Sequence, residues 1–441
     1  MNNAPYKHRT SNKSNGHSPA TRVRFAGATE RNGERRPVLI TGGAGFIGTN
    51  VAHRLLTAGK RVLIYDNLCR PGVELNLQWL RQHHGQALEF QSGDVRDYDL
   101  LRKAVRRAAQ IYHFAAQVAV TTSLDQPFED FEINARGTLN LLEAVRQRVD
   151  PPPLLFTSTN KVYGDLSDVK LRMRHGRYEP ESAAIRQHGF GEQRPLHFHS
   201  PYGCSKGAAC QYVLDYARTF RLPTAVFRMS CIYGPHQFGT EDQGWVAHFL
   251  INSLDRRPIT IYGDGRQVRD ILFVEDLVDA MIATQDNIDQ LQGQVFNVGG
   301  GPTNTTSLLE LIDLIGELHG KRPIVRYEDW RPADQQYYVS DTRKLSSATG
   351  WHPKVDVRHG VATLYQWLRE FHQPAPANGR IVRVPRKPGP GQVTRVRALR
   401  LKTMHNPRPI RGWKGGLRRP VSEPDGLDAT SRSGQKLAKA V

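Results

Sequence analysis

Short apolar runs alternate with amphipathic stretches along the chain from residue 38 onward. The first run, Val38-Leu-Ile-Thr, is rich in β-branched residues, and in the stretch after it Phe46, Val51 and Leu55 recur on one helical face. Apolar runs of this length that alternate with helical periodicity indicate βαβ units and a parallel sheet. The sequence therefore predicts an α/β fold with a Rossmann-type, doubly wound sheet, whose strands begin at Val38, Val62, Leu88, Ile111, Leu154 and Thr224.

Prolines and polar stretches predict where this alternation is interrupted. Helices are expected over residues 99–109 and 131–149, and the prolines at 151–153 end the second of them. The fourth strand is expected over 111–117. Residues 167–199 are polar and show no regular period, which predicts a long irregular insertion that covers a substrate.

A glycine-rich turn lies between the first predicted strand and the helix after it. Its spacing fits Gly43-x-Gly45-x-x-Gly48 and, one residue earlier, Gly42-x-x-Gly45-x-x-Gly48. Gly42 and Gly43 can take backbone angles that are closed to other residues. Gly45 lets a pyrophosphate approach the main chain, and Gly48 lets the helix lie close to the strand. Because the first turn of that helix offers free N–H groups to phosphates, the segment predicts a dinucleotide site.

Acidic residues follow the next two predicted strands. Asp66 ends the second strand, roughly 20 residues after the glycines, where a carboxylate holds a ribose 2′-hydroxyl and repels a 2′-phosphate. This position predicts NAD rather than NADP. Asp94, which is followed by Val95, ends the third strand and can meet an adenine amino group, although an aspartate taken alone is more often a turn or helix-capping residue. The small side chain of Ala115 leaves room for a cofactor to lie across the fourth strand.

A strand that ends in hydroxyls and a tyrosine–lysine pair provide candidate chemistry. The fifth strand ends in Ser158 and Thr159, at the sheet edge where this fold binds ligands, although β-branched strand filling is an equally ordinary explanation. Tyr202 and Lys206 have the i, i+4 spacing that places them on one face of a helix. A phenol is a poor base near its unperturbed pKa of about 10, but an adjacent ammonium and a nicotinium charge favour the phenolate. The pair therefore predicts acid–base chemistry.

Longer runs carry a resemblance to a known family. They are Ser158-Thr-Asn-Lys-Val-Tyr-Gly-Asp-Leu166, Ser200-Pro-Tyr-Gly-Cys-Ser-Lys-Gly207, and the segments 227–245, 263–270 and 329–341. Between about Val38 and Phe371 the chain resembles an extended short-chain dehydrogenase/reductase of the nucleotide-sugar epimerase and dehydratase group. Within that group the runs are most similar to the branch that acts at C2 of a CDP-sugar. The resemblance implies NAD as the cofactor, a nucleotide-diphosphate sugar as the substrate, and catalysis by epimerisation.

The same resemblance implies roles for individual residues. Thr159 would hydrogen-bond the reacting sugar oxygen, Tyr202 would act as acid and base, and Lys206 would hold the nicotinamide ribose and lower the pKa of the tyrosine. No metal is implied. The residues that would contact the cofactor are Gly42, Gly45, Phe46, Ile47, Gly48, Asp66, Asn67, Asp94, Val95, Ala115, Tyr202 and Lys206.

The substrate side carries one departure from the dehydratase branch of this family. Sugar 4,6-dehydratases have an acidic pair directly after the threonine, whereas this chain has Asn160 and Lys161 there. Without a carboxylic acid to protonate the leaving hydroxyl, elimination lacks its general acid. Asn160, Arg269 and Arg331 are the implied substrate contacts, with the two arginines gripping the diphosphate, or else forming ordinary surface ion pairs.

Charge separates the ends of the chain from its middle. Residues 1–36 hold 8 basic and 2 acidic residues and residues 374–441 hold 16 and 3, which leaves 37 of each sign in between, so that the tails carry the whole net charge of +19. Proline, glycine and arginine predominate in the second tail, and both tails are predicted to be disordered. They are expected to be solvated, with weak nucleic-acid or polyanion binding as the alternative.

These observations give an expected domain plan and compartment. The tail over 1–36 is followed by an NAD-binding Rossmann domain over 37–200, by the rest of the core with a smaller mixed α/β substrate-binding domain over 201–373, and by the tail over 374–441. The chain has no signal-like or membrane-length apolar run, and its four cysteines show no metal-type spacing, so we expect a soluble, cytoplasmic protein with reduced thiols. We also expect a homo-oligomer. For the function, the alternatives to an epimerase of a CDP-sugar are a UDP- or dTDP-sugar 4-epimerase or related reductase, and a non-catalytic NAD sensor whose tails dock on nucleic acid.

Overall fold

Strands and helices alternate through the computed structural model, which describes residues 36–331 and 334–372. The strands are β1 (Val38–Thr41), β2 (Val62–Asp66), β3 (Leu88–Ser92), β4 (Gln110–His113), β5 (Leu154–Thr159), β6 (Leu171–Arg174), β7 (Arg177–Pro180), β8 (Thr224–Met229), β9 (Cys231–Tyr233), β10 (Ile259–Tyr262), β11 (Val268–Phe273), β12 (Gln294–Val298), β13 (Thr305–Ser307), β14 (Val325–Glu328) and β15 (Tyr337–Tyr338). The α-helices are α1 (Phe46–Thr57), α2 (Val73–His84), α3 (Tyr98–Arg107), α4 (Val120–Asp125), α5 (Pro127–Phe131), α6 (Gly137–Arg146), α7 (Ala183–His188), α8 (Pro201–Phe220), α9 (Trp245–Leu254), α10 (Val274–Asp286), α11 (Ile288–Leu291), α12 (Leu308–His319), α13 (Arg343–Thr349) and α14 (Val357–His372).

Seven strands form one parallel sheet in the order β12-β8-β5-β4-β1-β2-β3. The chain proceeds from β1 to β3 on one side and then returns to β4 on the other, so the strand order reverses between β1 and β4. In doubly wound sheets this reversal leaves a crevice at the carboxyl ends of the strands, where ligands bind. The order confirms the predicted Rossmann-type α/β fold.

Strands β1 and β5 in the middle of the sheet are buried along their whole length, because helices cover both faces. Val38 and Ile40 of β1 pack into a core with α1, α2 and α10, whereas Leu39 between them packs into a second core with α3, α6 and α8. Successive side chains of a strand point to opposite faces, so each strand supplies both cores.

The smaller part of the fold is built from short mixed sheets. Strand β11 pairs with β13 antiparallel and with β9 and β15 in parallel, and β10 pairs with β14. A third core, which includes Phe249, Ile271, Leu311 and Leu364, joins these strands to α9, α12 and α14. This arrangement agrees with the expected smaller mixed α/β region.

Two expected elements differ from the structure. The helix expected over 131–149 is interrupted by a π-helical turn, Glu132–Arg136, and its last part ends at Arg146. The fourth strand ends at His113 instead of residue 117, and beyond it the N–H of Gln117 donates to the side chain of Asn134, at Oδ1, at 3.0 Å. A π-helical turn is a common feature of functional sites, and Asn134 lies within it.

The predicted tails, 1–36 and 374–441, lie outside the described residues except for Arg36. Within residues 36–331 and 334–372, no helix has the length and apolar character needed to cross a bilayer.

Candidate active site

A cavity of about 410 Å³ opens at the carboxyl ends of the central strands. Its walls come from the glycine turn after β1, the loops after β2, β3 and β4, the end of β5, the start of α8, and the segment 236–246. The predicted cofactor and catalytic residues meet in this cavity: Gly42, Gly45, Phe46, Ile47, Gly48, Asp66, Asn67, Asp94, Val95, Ala115, Thr159, Tyr202 and Lys206 all line it, and so does Asn160.

The glycine turn leaves no room for side chains at two positions. At Gly42, whose φ is +68°, an added Cβ would lie 2.6 Å from the backbone nitrogen of Ala115. At Gly48 it would lie 2.5 Å from the carbonyl oxygen of Gly42, so α1 and the turn are in direct backbone contact. The N-cap of α1, Gly45, has no side-chain cap. The first N–H groups of α1 are therefore available to an anionic group in the cavity.

Asp66 fastens the glycine turn to the end of β2. Its Oδ2 accepts a hydrogen bond from the N–H of Ala44 at 3.0 Å, and its Oδ1 accepts one from the N–H of Leu68 at 2.8 Å. Burial raises the pKa of Asp66, and the two backbone donors oppose that rise. Each oxygen keeps acceptor capacity for a further donor.

Asp94 is engaged by neighbouring side chains. Arg96 donates Nε to Oδ1 at 2.9 Å and Nη2 to Oδ2 at 2.8 Å, and Asn67 donates Nδ2 to Oδ2 at 2.9 Å. The hydrogen bonds from Arg96 lower the pKa of Asp94 to about 2, against the effect of burial. Asp94 is not the N-cap of α3, a position that Asp97 occupies.

Thr159 and Tyr202 are positioned by the ends of two elements. Thr159 ends β5 and caps the following 3₁₀ turn, where its Oγ1 accepts a hydrogen bond from the N–H of Lys161 at 3.2 Å. Tyr202 lies in the first turn of α8, whose N-cap is Ser200, and its own N–H donates to Ser123 Oγ at 3.1 Å. These contacts orient both side chains into the cavity from fixed backbone.

Burial sets the protonation of the tyrosine–lysine pair. It raises the pKa of Tyr202 to about 12, while a hydrogen bond with Thr159 lowers it. Burial lowers the pKa of Lys206 to about 7. The Lys206 ammonium lies 4.4 Å from the centre of the Phe156 ring. Burial dominates the pKa of Tyr202, and the expectation that the Lys206 ammonium lowers it stays a prediction.

A buried charge cluster closes the side of the cavity beyond β5. Lys161, which lines the cavity, pairs with Asp334 at 3.3 Å, and Arg269 Nη2 donates to the same Asp334 oxygen at 2.8 Å. Burial raises the pKa of Asp334, but Arg269 and Lys161 hold it below its ordinary value. Next to this cluster, Asn160 Nδ2 donates to Gln335 Oε1 at 3.2 Å. The structure thus places Arg269 behind Lys161 and outside the cavity lining.

Arg331 also lies outside the lining and acts on a segment that forms part of it. Its guanidinium carbon is 3.9 Å from the centre of the Tyr262 ring, and its Nη1 donates to the carbonyl oxygen of Glu241 at 3.2 Å. Its Nη2 is 3.6 Å from Glu241 Oε1. Arg331 therefore holds Glu241 between two cavity residues, Thr240 and Asp242.

The insertion over 167–199 was predicted to be irregular, and this prediction is wrong; that it covers a substrate stays a prediction. It contains the hairpin β6–β7 and the helix α7, and none of its residues lines the cavity. Its apolar residues, among them Leu171 and Ile185, pack with Phe190 and Tyr338 in a separate core. Sparse apolar positions in a polar stretch are enough to form this core, which a search for regular periodicity does not detect.

Several cavity groups were missed by sequence reasoning. Lys161 and Arg70 line the cavity as cations, and a buried network of Gln117, Asp130 and Asn134 lies beneath α8. Residue spacing holds no signal for Arg70 or Asp130, because loop and helix residues of this kind are ordinarily solvated.

Comparisons with known proteins agree with this geometry. The family model described as GDP-mannose 4,6 dehydratase matches residues 39–364. The CDP-paratose 2-epimerase of Salmonella typhi is 43% identical over 337 residues, which cover 75% of this chain and 98% of that protein.

Two solved structures are similar over most of the chain. The UDP-glucose 4-epimerase of Thermus thermophilus in complex with NAD is 32% identical with a TM-score of 0.63, covering 76% of this chain and 99% of its own. The UDP-glucuronic acid 4-epimerase of Bacillus cereus, in complex with UDP-glucuronic acid and NAD, is 26% identical with a TM-score of 0.66, covering 76% and 100%.

Proposed function

Because the chain belongs to the NAD-dependent nucleotide-sugar epimerase and dehydratase family of extended short-chain dehydrogenases/reductases, we propose that it is an epimerase that inverts one carbon of a nucleotide-diphosphate sugar. The substrate that we propose is a CDP-sugar like that of CDP-paratose 2-epimerase. The observation that carries the proposal is the meeting of Thr159, Tyr202 and Lys206 in one cavity, with no carboxylic acid directly after Thr159.

The cavity has the features that a dinucleotide requires. Gly42 and Gly48 leave the backbone bare, and the uncapped N-terminus of α1 offers N–H groups to a pyrophosphate. Asp66 suits a ribose hydroxyl and disfavours a phosphate on it, so we propose NAD over NADP. When bound, NAD supplies the redox chemistry, since it takes up a hydride from the sugar carbon and gives it back.

The protein's own groups handle the proton and the position of the sugar. We propose that Tyr202 Oη accepts the proton of the sugar hydroxyl and later returns it, while Thr159 Oγ1 holds the same oxygen by a hydrogen bond. The Lys206 ammonium favours the phenolate and holds a ribose hydroxyl. Between the two proton transfers the oxidised sugar turns over within the cavity, so the carbon regains its hydrogen with the opposite configuration.

The distribution of carboxylates supports epimerisation over dehydration. Among the described residues, those that line the cavity include the carboxylates of Asp66, Asp94 and Asp242. The first two lie at the ends of β2 and β3, on the proposed dinucleotide side, and Asp242 lies in the segment that Arg331 holds. Elimination of water needs an acid beside the leaving hydroxyl, next to Thr159, and Asn160 and Lys161 cannot supply one.

We propose that Arg269 and Arg331 bind the diphosphate by exchanging partners. Arg269 pairs with Asp334, and Arg331 with Glu241. A phosphate offers a guanidinium the same paired oxygen geometry as a carboxylate, so the diphosphate can replace either one. Anchoring at the diphosphate would let the sugar turn over without leaving the cavity.

The experiment is turnover against a panel of CDP-, UDP- and dTDP-sugars. We expect an epimerised product from a CDP-sugar, without consumption of added NADH, and retention of deuterium from the inverted carbon in both H₂O and D₂O. Loss of the label to solvent would mean that a carbon-bound proton is removed next to a ketone, which contradicts a hydride mechanism. Turnover of only UDP- or dTDP-sugars would favour the 4-epimerase alternative, which the solved relatives represent.

An exposed apolar surface supports a homodimer. Leu124, Phe128 and Phe131 on α4 and α5 and Tyr212 on α8 are all exposed, Phe128 to 87%. Adjacent apolar side chains on neighbouring helices are typical of an interface, and we propose that a second copy of the chain covers them. Phe128→Glu is expected to give monomers in light scattering, whereas Phe220→Glu, a change of an exposed phenylalanine at the far end of α8, is expected to leave the dimer intact.

The cytoplasm is the compartment that we propose. All four cysteines are described by the structure and none forms a disulfide. Unpaired thiols are typical of proteins in a reducing compartment.

A further inference from the structure

Asp130, near the end of α5, is a fully buried carboxylate that the proposed chemistry does not yet use. Its side chain has no exposed surface. Oδ1 accepts hydrogen bonds from Gln117 Nε2 and Asn134 Nδ2, both at 3.1 Å. Oδ2 has no hydrogen-bond partner among the described residues. Burying a carboxylate oxygen without a donor is costly, so its presence requires a reason.

The network around Asp130 leads directly to α8. Asn134 Nδ2, besides its bond to Asp130, lies 3.1 Å from Ser205 Oγ. Ser205 is the residue before Lys206, and its hydroxyl donates to the carbonyl oxygen of Tyr202 at 3.2 Å. Asp130 is therefore fixed relative to both members of the tyrosine–lysine pair.

Asp130 is also the carboxylate that acts on both members electrostatically. Its charge favours the protonated form of Lys206 and raises the pKa of Tyr202. Among the described residues the Lys206 ammonium has a ring contact with Phe156 but no ion pair of its own. In a buried region a charge acts over longer distances than in water, so Asp130 does not need to touch Lys206.

The other titratable groups near the pair cannot replace this charge. The Cys210 thiol lies one turn along α8 from Lys206, but burial raises its pKa and keeps it neutral. The His113 imidazole faces Lys206 from β4, and burial lowers its pKa to about 3, so it too is neutral. Arg70 faces Tyr202 with a positive charge, and Arg228, from β8, contacts Cys210.

We propose that Asp130 is a positioning residue whose buried carboxylate sets the working pH range of the Tyr202–Lys206 pair. This inference rests on the function proposed above. It gives Asp130 no contact with the substrate: the carboxylate keeps a positive charge on Lys206 and raises the pH at which Tyr202 becomes the phenolate base. Burial raises the pKa of Asp130, and the charge of Lys206 and the hydrogen bond from Asn134 oppose that rise, so the carboxylate and the ammonium stabilise each other's charge.

The test is the pH dependence of kcat/KM in Asp130→Asn. Removal of the negative charge lowers the pKa of both Tyr202 and Lys206, so both limbs of the profile move to lower pH, by on the order of one unit. A merely structural role would reduce the height of the profile and leave the limbs in place. Asp125→Asn, which removes an exposed carboxylate on α4, is the matched control and is expected to leave the limbs unchanged.

A second readout needs no turnover and separates this inference from the proposed function. In wild-type protein with ¹³C-labelled lysine, NMR is expected to show Lys206 titrating near pH 7, with Lys206→Met to assign the signal. In Asp130→Asn the titration moves to lower pH even if no substrate has been found. Unchanged titration of Lys206 together with unmoved limbs would overturn the proposal.

Folding of the variants is checked by thermal unfolding. Asp130→Asn is expected to unfold at or above the wild-type temperature, because an amide costs less to bury than an unpaired carboxylate. If Asp130→Asn does not fold, Asp130→Glu and Asp130→Gln are compared instead, because their side chains are similar in size and differ in charge. The limbs should then lie at lower pH in the glutamine variant than in the glutamate variant, and equal limbs would overturn the proposal.

Discussion

The half of the cavity proposed for the dinucleotide and the half proposed for the sugar are built in different ways. The first consists mainly of backbone, namely the glycine turn and the N-terminus of α1, and the side chain of Asp66 holds that turn. Paired side chains form the second, in which Lys161 and Arg269 share Asp334 and Arg331 holds Glu241. The first half is fixed by sterics, and the second by charge pairs that a ligand can exchange.

This difference explains which parts of the site can be predicted from sequence. A backbone site needs glycines at fixed spacing within seven residues, so its pattern is local and recognisable. The charge pairs join residues far apart in the chain: Lys161 and Asp334 are 173 positions apart, and Glu241 and Arg331 are 90 positions apart. Sequence spacing cannot show such pairs, and Arg269 and Arg331 were expected in the cavity instead of behind its wall.

The largest expected effect comes from Tyr202, where the two halves meet. Tyr202→Phe removes the group that moves the proton, and turnover should fall by about 10²–10⁴-fold, the usual contribution of a general acid or base. NAD affinity, measured by calorimetry, should be unchanged because the phenol acts on the substrate hydroxyl. Tyr212→Phe, on an exposed part of the same helix, should keep full turnover. Wild-type rates in Tyr202→Phe would remove this residue from the chemistry.

The backbone half can be tested by a pair of glycine substitutions. Gly42→Ala combines a positive φ with a Cβ that would meet the backbone at Ala115, whereas Gly59→Ala has a similar φ of +74° and nothing within 4 Å. The Gly59 variant should lose about 1 kcal/mol of stability. The Gly42 variant should lose more than that and also lose NAD affinity. Equal losses in thermal unfolding and normal NAD binding in both variants would show that the close approach has no role.

A substitution in the half proposed for the sugar should change the affinity for the nucleotide sugar and leave the affinity for NAD unchanged. Arg331→Ala removes a charged donor, and the KM for the nucleotide sugar should rise about tenfold, since a hydrogen bond to a charged group contributes about 1.5–3 kcal/mol. NAD affinity should stay at the wild-type value. Arg326→Ala, an exposed arginine on β14, is the control and should change neither constant. A loss of NAD affinity in Arg331→Ala would mean that the two halves are not separate.

The smallest effect is expected from the two basic tails. Deleting residues 1–36 and 374–441 removes the whole net charge while leaving both halves of the cavity intact. Turnover and melting temperature should be nearly unchanged, and any binding to polyanions at low salt should disappear. A large fall in melting temperature would assign a tail to the fold.

Much of the fold was predictable because its signals are local. The apolar strands, the glycine turn and the Tyr202–Lys206 spacing each lie within a few residues of one another, and the sheet follows from them. The interrupted helix around Asn134 was not predictable, since a π-helical turn has no distinct sequence period. The insertion over 167–199 folds against Tyr338, which comes more than 130 residues later, so its own polarity was misleading.

The strand order also bears on how the chain is handled during its synthesis. Strand β8 lies between β5 and β12, and β12 ends at Val298, 69 residues after β8 ends at Met229. At about 5–20 residues per second, a ribosome needs several seconds to deliver that segment. During this interval an apolar strand that is wholly internal in the finished sheet has an unpaired edge, which other nascent chains or chaperones can bind. Codon usage between residues 230 and 298 would therefore affect the yield of folded protein more than the same change after β12.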